Sequence, residues 1–228
     1  MRLVFDSSRD FISSQRNIKT LLRFASKEDK KGNENNRNLF LKLALVLLVT
    51  RFQVFIESIL KEFDYDLKQK GKTLSCMPDY YRMNSFSLTV SKKPIHKEVE
   101  NPQSYNRNKV VAVQNQVGIY QTILDDNSTI DGKISFNTKF PMGKNGLNEI
   151  TDLFKQIEGK NIFDNVVFDV NKINEILSRR HAVIHEDKNQ QITETTIESY
   201  LLFLIEVTRH MDQYLRPFLL KSYKPARV

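Results

Sequence analysis

Cysteine is nearly absent from this chain. Cys76 stands alone, so no internal disulfide can form, and a reducing cytoplasm is the expected setting. Tryptophan is missing, and seven glycines with six prolines are few for 228 residues, which disfavours a turn-rich β-sandwich and leaves room for long helices. No glycine-rich phosphate loop occurs, and there is no convincing Ser-His-Asp or Cys-His arrangement, which narrows the enzyme classes considerably. The chain does not open with a basic segment, an apolar stretch and a small-residue cleavage site, so no targeting segment is expected. The strongest apolar run, "LFLKLALVLLV" at 39–49, is interrupted by Lys42 and followed by Arg51. It falls short of the roughly 20 residues that a membrane span needs and reads as a buried helix, with no membrane expected as a partner.

What is present is enough for a core: 40% hydrophobic residues, including 15 phenylalanines. The formal charge of +8 implies either an acidic partner such as nucleic acid or a soluble basic surface. Asp6 and Ser7 are placed to cap a first helix in which Phe11, Ile12, Ile18, Leu21 and Leu22 recur at helical spacing. The polar run "SKEDKKGNENNR" reads as a solvated loop after it. From 38 to 69 the helical pattern continues through Phe52, Phe55, Ile56, Ile59, Leu60 and Phe63 without glycine or proline. Residues 72–140 are broken by Pro78, Pro94 and Pro102; "SFSLTV" alternates like a short strand, and "KVVAVQNQVGIYQTIL" fits helix or strand. This stretch is expected to be an insertion within a single domain spanning 1–228.

Helical order returns at Gly146, with Leu147, Ile150, Leu153, Phe154 and Ile157 on one face and Gly159 as the left-handed cap. Asp169 is the expected N-cap of a further helix bearing Val170, Ile173, Ile176 and Leu177. A capping box at Thr195 and Glu198 opens the last helix, which is expected to run to Pro217. The architecture is therefore all-α, a bundle of about five helices with an irregular central insertion.

The chemistry concentrates in "RRHAVIHEDK", 179–188. His181 and His185 are four residues apart on a helix and share a face, the spacing at which two imidazoles bind one metal. Against a metal site, the position after the first histidine is Ala182 rather than the glutamate of a zincin, and the third ligand would have to be Glu186, Asp187 or His210. Arg179 and Arg180 would also oppose a dication, so no metal or cofactor is expected. A plainer reading is a helix C-terminus where cations are favoured by the dipole, although Val183 and Ile184 inside the cluster hold it against a buried surface. The third reading is acid–base chemistry on a phosphodiester. Histidine exchanges protons near neutral pH, an arginine fork grips two phosphate oxygens, and RNA supplies its own 2′-hydroxyl nucleophile.

The segment "RRHAVIH" resembles the R-x4-6-H signature of the HEPN superfamily, small helical domains of which many are metal-independent endoribonucleases in toxin–antitoxin, abortive-infection and CRISPR-linked systems. Arg180 matches the arginine, His181 the polar position after it, and His185 the catalytic histidine. "FPMGKNGLNEITDLFKQIEGKNIF" and "SRRHAVIHED" look like the final helices of prokaryotic HEPN proteins of the RiboL-PSP type. The resemblance covers 38–67 loosely and 140–217 better.

The resemblance implies a homodimer in which two R-x4-6-H helices lie side by side, with RNA as substrate and an antitoxin or regulator as a further partner. By it His185 is the general base or acid, Arg180 holds the scissile phosphate, His181 orients the site, and Glu57 is an acidic auxiliary on the long helix. The commoner reading of Glu57 is a solvated charge or an i,i+4 partner of Lys61. Arg51 and Arg179 are assigned to RNA phosphate or to carboxylates, and Lys92, Lys93, Lys97 and "RPFLLKSYKPAR" to RNA backbone or a solvated face. HEPN toxins paired with nucleotidyltransferase antitoxins often have tyrosine two residues after the histidine; here it is Asp187, which argues against neutralisation by that route. Two alternatives stand beside the ribonuclease: a noncatalytic HEPN module binding RNA, nucleotide or a partner protein, and a helical scaffold with a capped helix end.

Overall fold

The computed structural model describes residues 3–92, 107–130, 137–141, 146–185 and 192–220. Among them are eight α-helices: α1 (Asp6–Ser13), α2 (Gln15–Lys30), α3 (Glu34–Gln69), α4 (Asp79–Lys92), α5 (Arg107–Leu124), α6 (Gly146–Glu158), α7 (Lys172–His185) and α8 (Glu194–Leu220). No strand occurs among the described residues, and an antiparallel bridge between Thr73 and Thr129 is the nearest approach to one. The all-α bundle is as expected, with more helices than the five read from the sequence.

The polar run after the first helix is not a loop. Helix α2 continues through it to Lys30, and α3 starts at Glu34. Gly32, at φ 73°, makes the turn between them, with Asn33 N–H donating to the Glu28 carbonyl at 3.0 Å in a Schellman closure. The Glu28 carboxylate accepts from Lys31 at 2.6 Å, Asn33 at 3.1 Å and Asn36 at 3.2 Å, so the polar side chains are spent on closing the turn. The expected first helix is two, broken at Ser14, and Asp6 and Ser7 do not cap it. Their N–H groups donate to Glu62 of α3 at 2.7 and 3.0 Å, a carboxylate supplied from another helix.

Two compact units divide the chain: residues 1–63, 138–153 and 161–216 form one, and 64–137, 154–160 and 217–228 the other. In the first, Leu41, Leu45, Leu48, Phe52, Ile56 and Ile59 of α3 are buried at helical spacing. Phe11 of α1 lies 5.8 Å from Phe52 and 5.5 Å from Phe55, ring centre to ring centre, which fixes the short helix on the long one. The N-terminal segment is tied to α8 by Asp212, buried on that helix, whose carboxylate accepts N–H bonds from Val4 and Phe5 at 3.1 Å.

Helix α3 is long and apolar enough to cross a membrane by length and composition, with an 18-residue window of mean hydropathy 2.1 of which 44% is buried. The run at 39–49 is only part of it, because the apolar character resumes beyond Arg51. A buried core helix passes the same test, and the buried stripe from Leu41 to Ile59 is what such a helix presents.

The second unit holds most of the stretch expected to be irregular. The segment "SFSLTV" lies in α4, not in a strand, because its alternation is too short to set a period while Tyr81 and Ser85, four apart, are both buried on one helical face. The ambiguous "KVVAVQNQVGIYQTIL" is helix α5. Tyr120 of α5 meets Phe86 of α4 at 5.1 Å, and the carboxylates of Asp79 and Asp126 hold Arg82. Gly159 is a left-handed cap at φ 77°, and a Cβ there would lie 2.6 Å from the Tyr80 ring, so two separate constraints require glycine.

Two helix boundaries shift. Asp169 opens an Asx turn, accepting the Asn171 N–H at 3.0 Å, and α7 begins at Lys172, two residues later than an N-cap at Asp169 would place it. The cap of α8 is Thr193, whose Oγ1 accepts the Thr196 N–H at 3.1 Å, rather than Thr195 with Glu198. Helix α8 also runs through Pro217 to Leu220, with Pro217 exposed and Phe218 and Leu219 buried.

Candidate functional site

Helix α7 grows out of the Asx turn at Asp169 and is held by Ile173, Ile176 and Leu177, all buried. These positions define a stripe at 173, 176, 177, and its next members by helical spacing are 180 and 184. Arginine occupies the first of these. The Arg180 side chain is half-buried, and its Nε is sequestered from solvent without a hydrogen-bond partner among the described residues. An unsatisfied buried donor is costly, so its presence on an apolar stripe calls for a reason other than stability. Ile184, one turn on, is 42% exposed, which marks where the stripe leaves the core.

His181 is half-buried, and Ala182 beside it is buried. His185 closes the helix, and the structure describes its backbone. Residues 180 and 185 are about 140° apart around an ideal helix, whereas 181 and 185 are about 40° apart. Positions 181 and 185 therefore share one flank of α7, and position 180 lies well around the helix from 185.

The opposite flank of α7 is built against α8. Glu175 accepts a hydrogen bond from the phenol of Tyr200 and pairs with Arg179 Nε at 3.3 Å. The Arg179 guanidinium lies 5.8 Å above the Tyr200 ring. Lys172 sits 5.7 Å from the same ring and donates to Ser199 Oγ at 2.7 Å. Burial, followed by the bond to Glu175, holds the Tyr200 phenol well above the usual tyrosine range, so it remains a donor. Glu175 and Tyr200 were missed from the sequence. The i,i+4 spacing of Glu175 and Arg179 was visible, but the partner on α8 was not.

The other assigned residues lie elsewhere. Glu57 accepts the Phe140 N–H at 3.3 Å and pairs with Lys61 at 3.6 Å, the i,i+4 pairing read from the sequence; among the described residues it forms no ion pair with Arg180. Arg51 is exposed on α3 and lines a cavity of about 300 Å³ with Asp6, Asp10, Ser58 and Glu62. His210 is engaged by the Ile162 carbonyl at 2.6 Å and stacks against Phe163. Among the described residues no group of three histidine, cysteine or carboxylate side chains is placed to hold a metal ion. Glu186, Asp187, Lys93, Lys97 and residues 221–228 lie outside the described residues, and Lys92 is described by its backbone.

The fold and this site define an all-α domain whose helix α7 carries a half-buried arginine with no hydrogen-bond partner at Nε among the described residues, followed by histidines at positions 181 and 185. The chain belongs to the RiboL-PSP-HEPN family, whose model matches residues 9–216. Membership points to a nuclease or otherwise RNA-related function. Comparison with curated proteins and with solved structures finds no match.

Proposed function

We propose that this protein is a metal-independent endoribonuclease acting in bacterial defence or as a toxin in the cytoplasm. The observation that supports it most is Arg180: a guanidinium whose Nε has no partner among the described residues, on a stripe otherwise apolar, five residues before His185 in a chain of the RiboL-PSP-HEPN family. Arg180 holds the non-bridging oxygens of the scissile phosphate and gains most when the pentacoordinate transition state adds charge to them. His185 takes the proton of the 2′-hydroxyl or gives one to the leaving 5′-oxygen, and His181 orients the site. The ribose oxygen is the nucleophile, so the products are a 2′,3′-cyclic phosphate and a 5′-hydroxyl.

The functional unit is a homodimer. Two α7 helices side by side supply Arg180 and His185 from both copies, which removes the need for one helix to bring residues about 140° apart onto one phosphate. Arg179 and Arg51 contact RNA backbone, and Glu57 is an auxiliary whose loose pair with Lys61, 60% and 30% exposed, is free to exchange. An antitoxin or regulatory partner restrains the activity.

The test is cleavage of end-labelled total RNA in EDTA by wild type, Arg180→Ala and His185→Ala, with the product ends identified. Cyclic phosphates from wild type, lost in both variants, are the expected result. A folded dimer that cuts nothing with or without divalent metal, or variants that cut as well as wild type, would refute the reading and leave a noncatalytic module that binds RNA, nucleotide or protein.

A further inference from the structure

The half of α7 that bears the candidate catalytic residues is weakly anchored by apolar contacts. Between Ser178 and Ile184 only Ala182 is fully buried, whereas Ile173, Ile176 and Leu177 secure the first half. Apolar packing is also non-directional, so it sets the depth of a helix better than its rotation. Rotation decides where Arg180 points, because each residue turns the helix by about 100°.

Directional contacts gather where that rotation needs fixing. The Glu175 carboxylate receives the Tyr200 phenol from α8 and the Arg179 guanidinium from its own helix, on the same oxygen. Tyr200 is 2% exposed, so its ring is a fixed wall, and Arg179 is laid along that wall at 5.8 Å. With Arg179 held there, Arg180 is turned away by one residue's rotation, onto the stripe where its Nε lies unpartnered. The brace also gives Arg179 a carboxylate and a ring of its own, which keeps the neighbouring guanidinium out of the Arg180 position.

We propose that Glu175 and Tyr200 are positioning residues that brace α7 against α8 and so set the direction of Arg180. This rests on the ribonuclease reading of Arg180, though the brace itself is measurable without it. Neither residue touches the reacting atoms.

The experiment compares wild type, Glu175→Ala, Glu175→Gln and Tyr200→Phe in three measurements: steady-state RNA cleavage, backbone amide exchange over 178–184, and melting temperature. Tyr200→Phe keeps the ring and removes only the hydroxyl, so it folds. Expected are kcat losses of roughly tenfold to a hundredfold in Glu175→Ala and Tyr200→Phe, the range for a catalytic group displaced by a fraction of an ångström to one ångström, with KM within twofold. Exchange over 178–184 quickens in both. Glu175→Gln, which keeps an acceptor for the phenol, loses less than Glu175→Ala.

Unchanged kcat with unchanged exchange in Glu175→Ala overturns the proposal. So does a loss confined to KM, which would put the pair in RNA binding, or a loss that follows a fall in melting temperature. If wild type cuts no RNA, the ribonuclease reading fails separately; the exchange data then decide the brace, which stands if Glu175→Ala exchanges faster and falls if it does not.

Discussion

Replacing Arg180 by methionine should make the protein more stable while abolishing the proposed RNA cleavage. The Arg180 side chain continues the stripe of Ile173, Ile176 and Leu177, and its Nε is buried with no acceptor among the described residues. An unsatisfied buried donor costs about 1–3 kcal/mol. Methionine is unbranched, matches arginine in helix propensity to within a few tenths of a kcal/mol, and fills irregular space with a soft side chain. Because Arg180 is half-buried, its guanidinium tip recovers part of that cost from water, and a net gain of about 1 kcal/mol is expected. For a chain of this size that is a rise of roughly 2–4 °C in melting temperature, measured by circular dichroism or calorimetry. Alanine is the wrong probe of stability here, since it would also remove the packing of the arginine stem. Cleavage by Arg180→Met should fall by about 10²-fold or more, the loss expected when a group binding transition-state charge is removed. A melting temperature lowered by 2 °C or more would refute the reasoning. Arg180 would then be holding the fold together, and its unpaired Nε would no longer argue for a function.

Three further outcomes follow from contacts away from the site. Asp212→Ala strips the Val4 and Phe5 N–H groups of their 3.1 Å acceptor and should cost about 2–4 kcal/mol, with Asp212→Asn costing less; urea unfolding measures it, and a loss under 0.5 kcal/mol contradicts the tie. Gly146→Ala places a Cβ 2.0 Å from Leu177 Cδ1 and 3.5 Å from its Cγ, so Leu177 must move and about 1–3 kcal/mol should be lost; the same urea series reads it, and a neutral result means the contact relaxes freely. Burial pushes the Tyr81 and Tyr200 phenols above their ordinary range in the folded chain, while in the unfolded chain they ionise near pH 10. The stability from these two groups is complete below about pH 10 and declines above it, because the unfolded state then sheds protons that the folded state keeps. Melting temperature followed from pH 8 to 11 should fall less steeply in Tyr200→Phe, and equal slopes would exclude the contribution.

Periodicity made the long helices readable, since Leu41 to Ile59, Ile150 to Ile157 and Ile197 to Leu215 recur at a spacing that only a helix buries. It failed where structure depends on something other than an apolar repeat. The turn at Gly32 looked like the middle of a loop because its helices are closed by Glu28, Asn33 and Asn36, polar residues that elsewhere signal solvent. Helix α1 takes its capping carboxylate from Glu62, 56 residues away for Asp6, and no local rule could name that partner. Serine at positions 85 and 87 gave "SFSLTV" a strand-like alternation, although Ser85 is buried and the segment is helical.

The candidate site divides along the same line. Arg180 and His185 were singled out because a short pattern fixes their spacing within one helix, and the stripe at 173, 176 and 177 predicts that position 180 faces inward. An arginine at a position that periodicity assigns to the core is itself a signal, carried by the residue pattern alone, that local chemistry and fold stability conflict there. What periodicity does not supply is the arrangement that makes the conflict useful. Glu175 meets Tyr200 across 25 residues of sequence, and the meeting depends on how α7 and α8 pack, which is a property of two helices rather than of either one. Arg179 illustrates the difference most directly. The sequence reading offered it RNA phosphate or a carboxylate as partner; in the structure it has the Glu175 carboxylate and the Tyr200 ring, while Arg180 Nε, about 100° further round the helix, has no hydrogen-bond partner among the described residues.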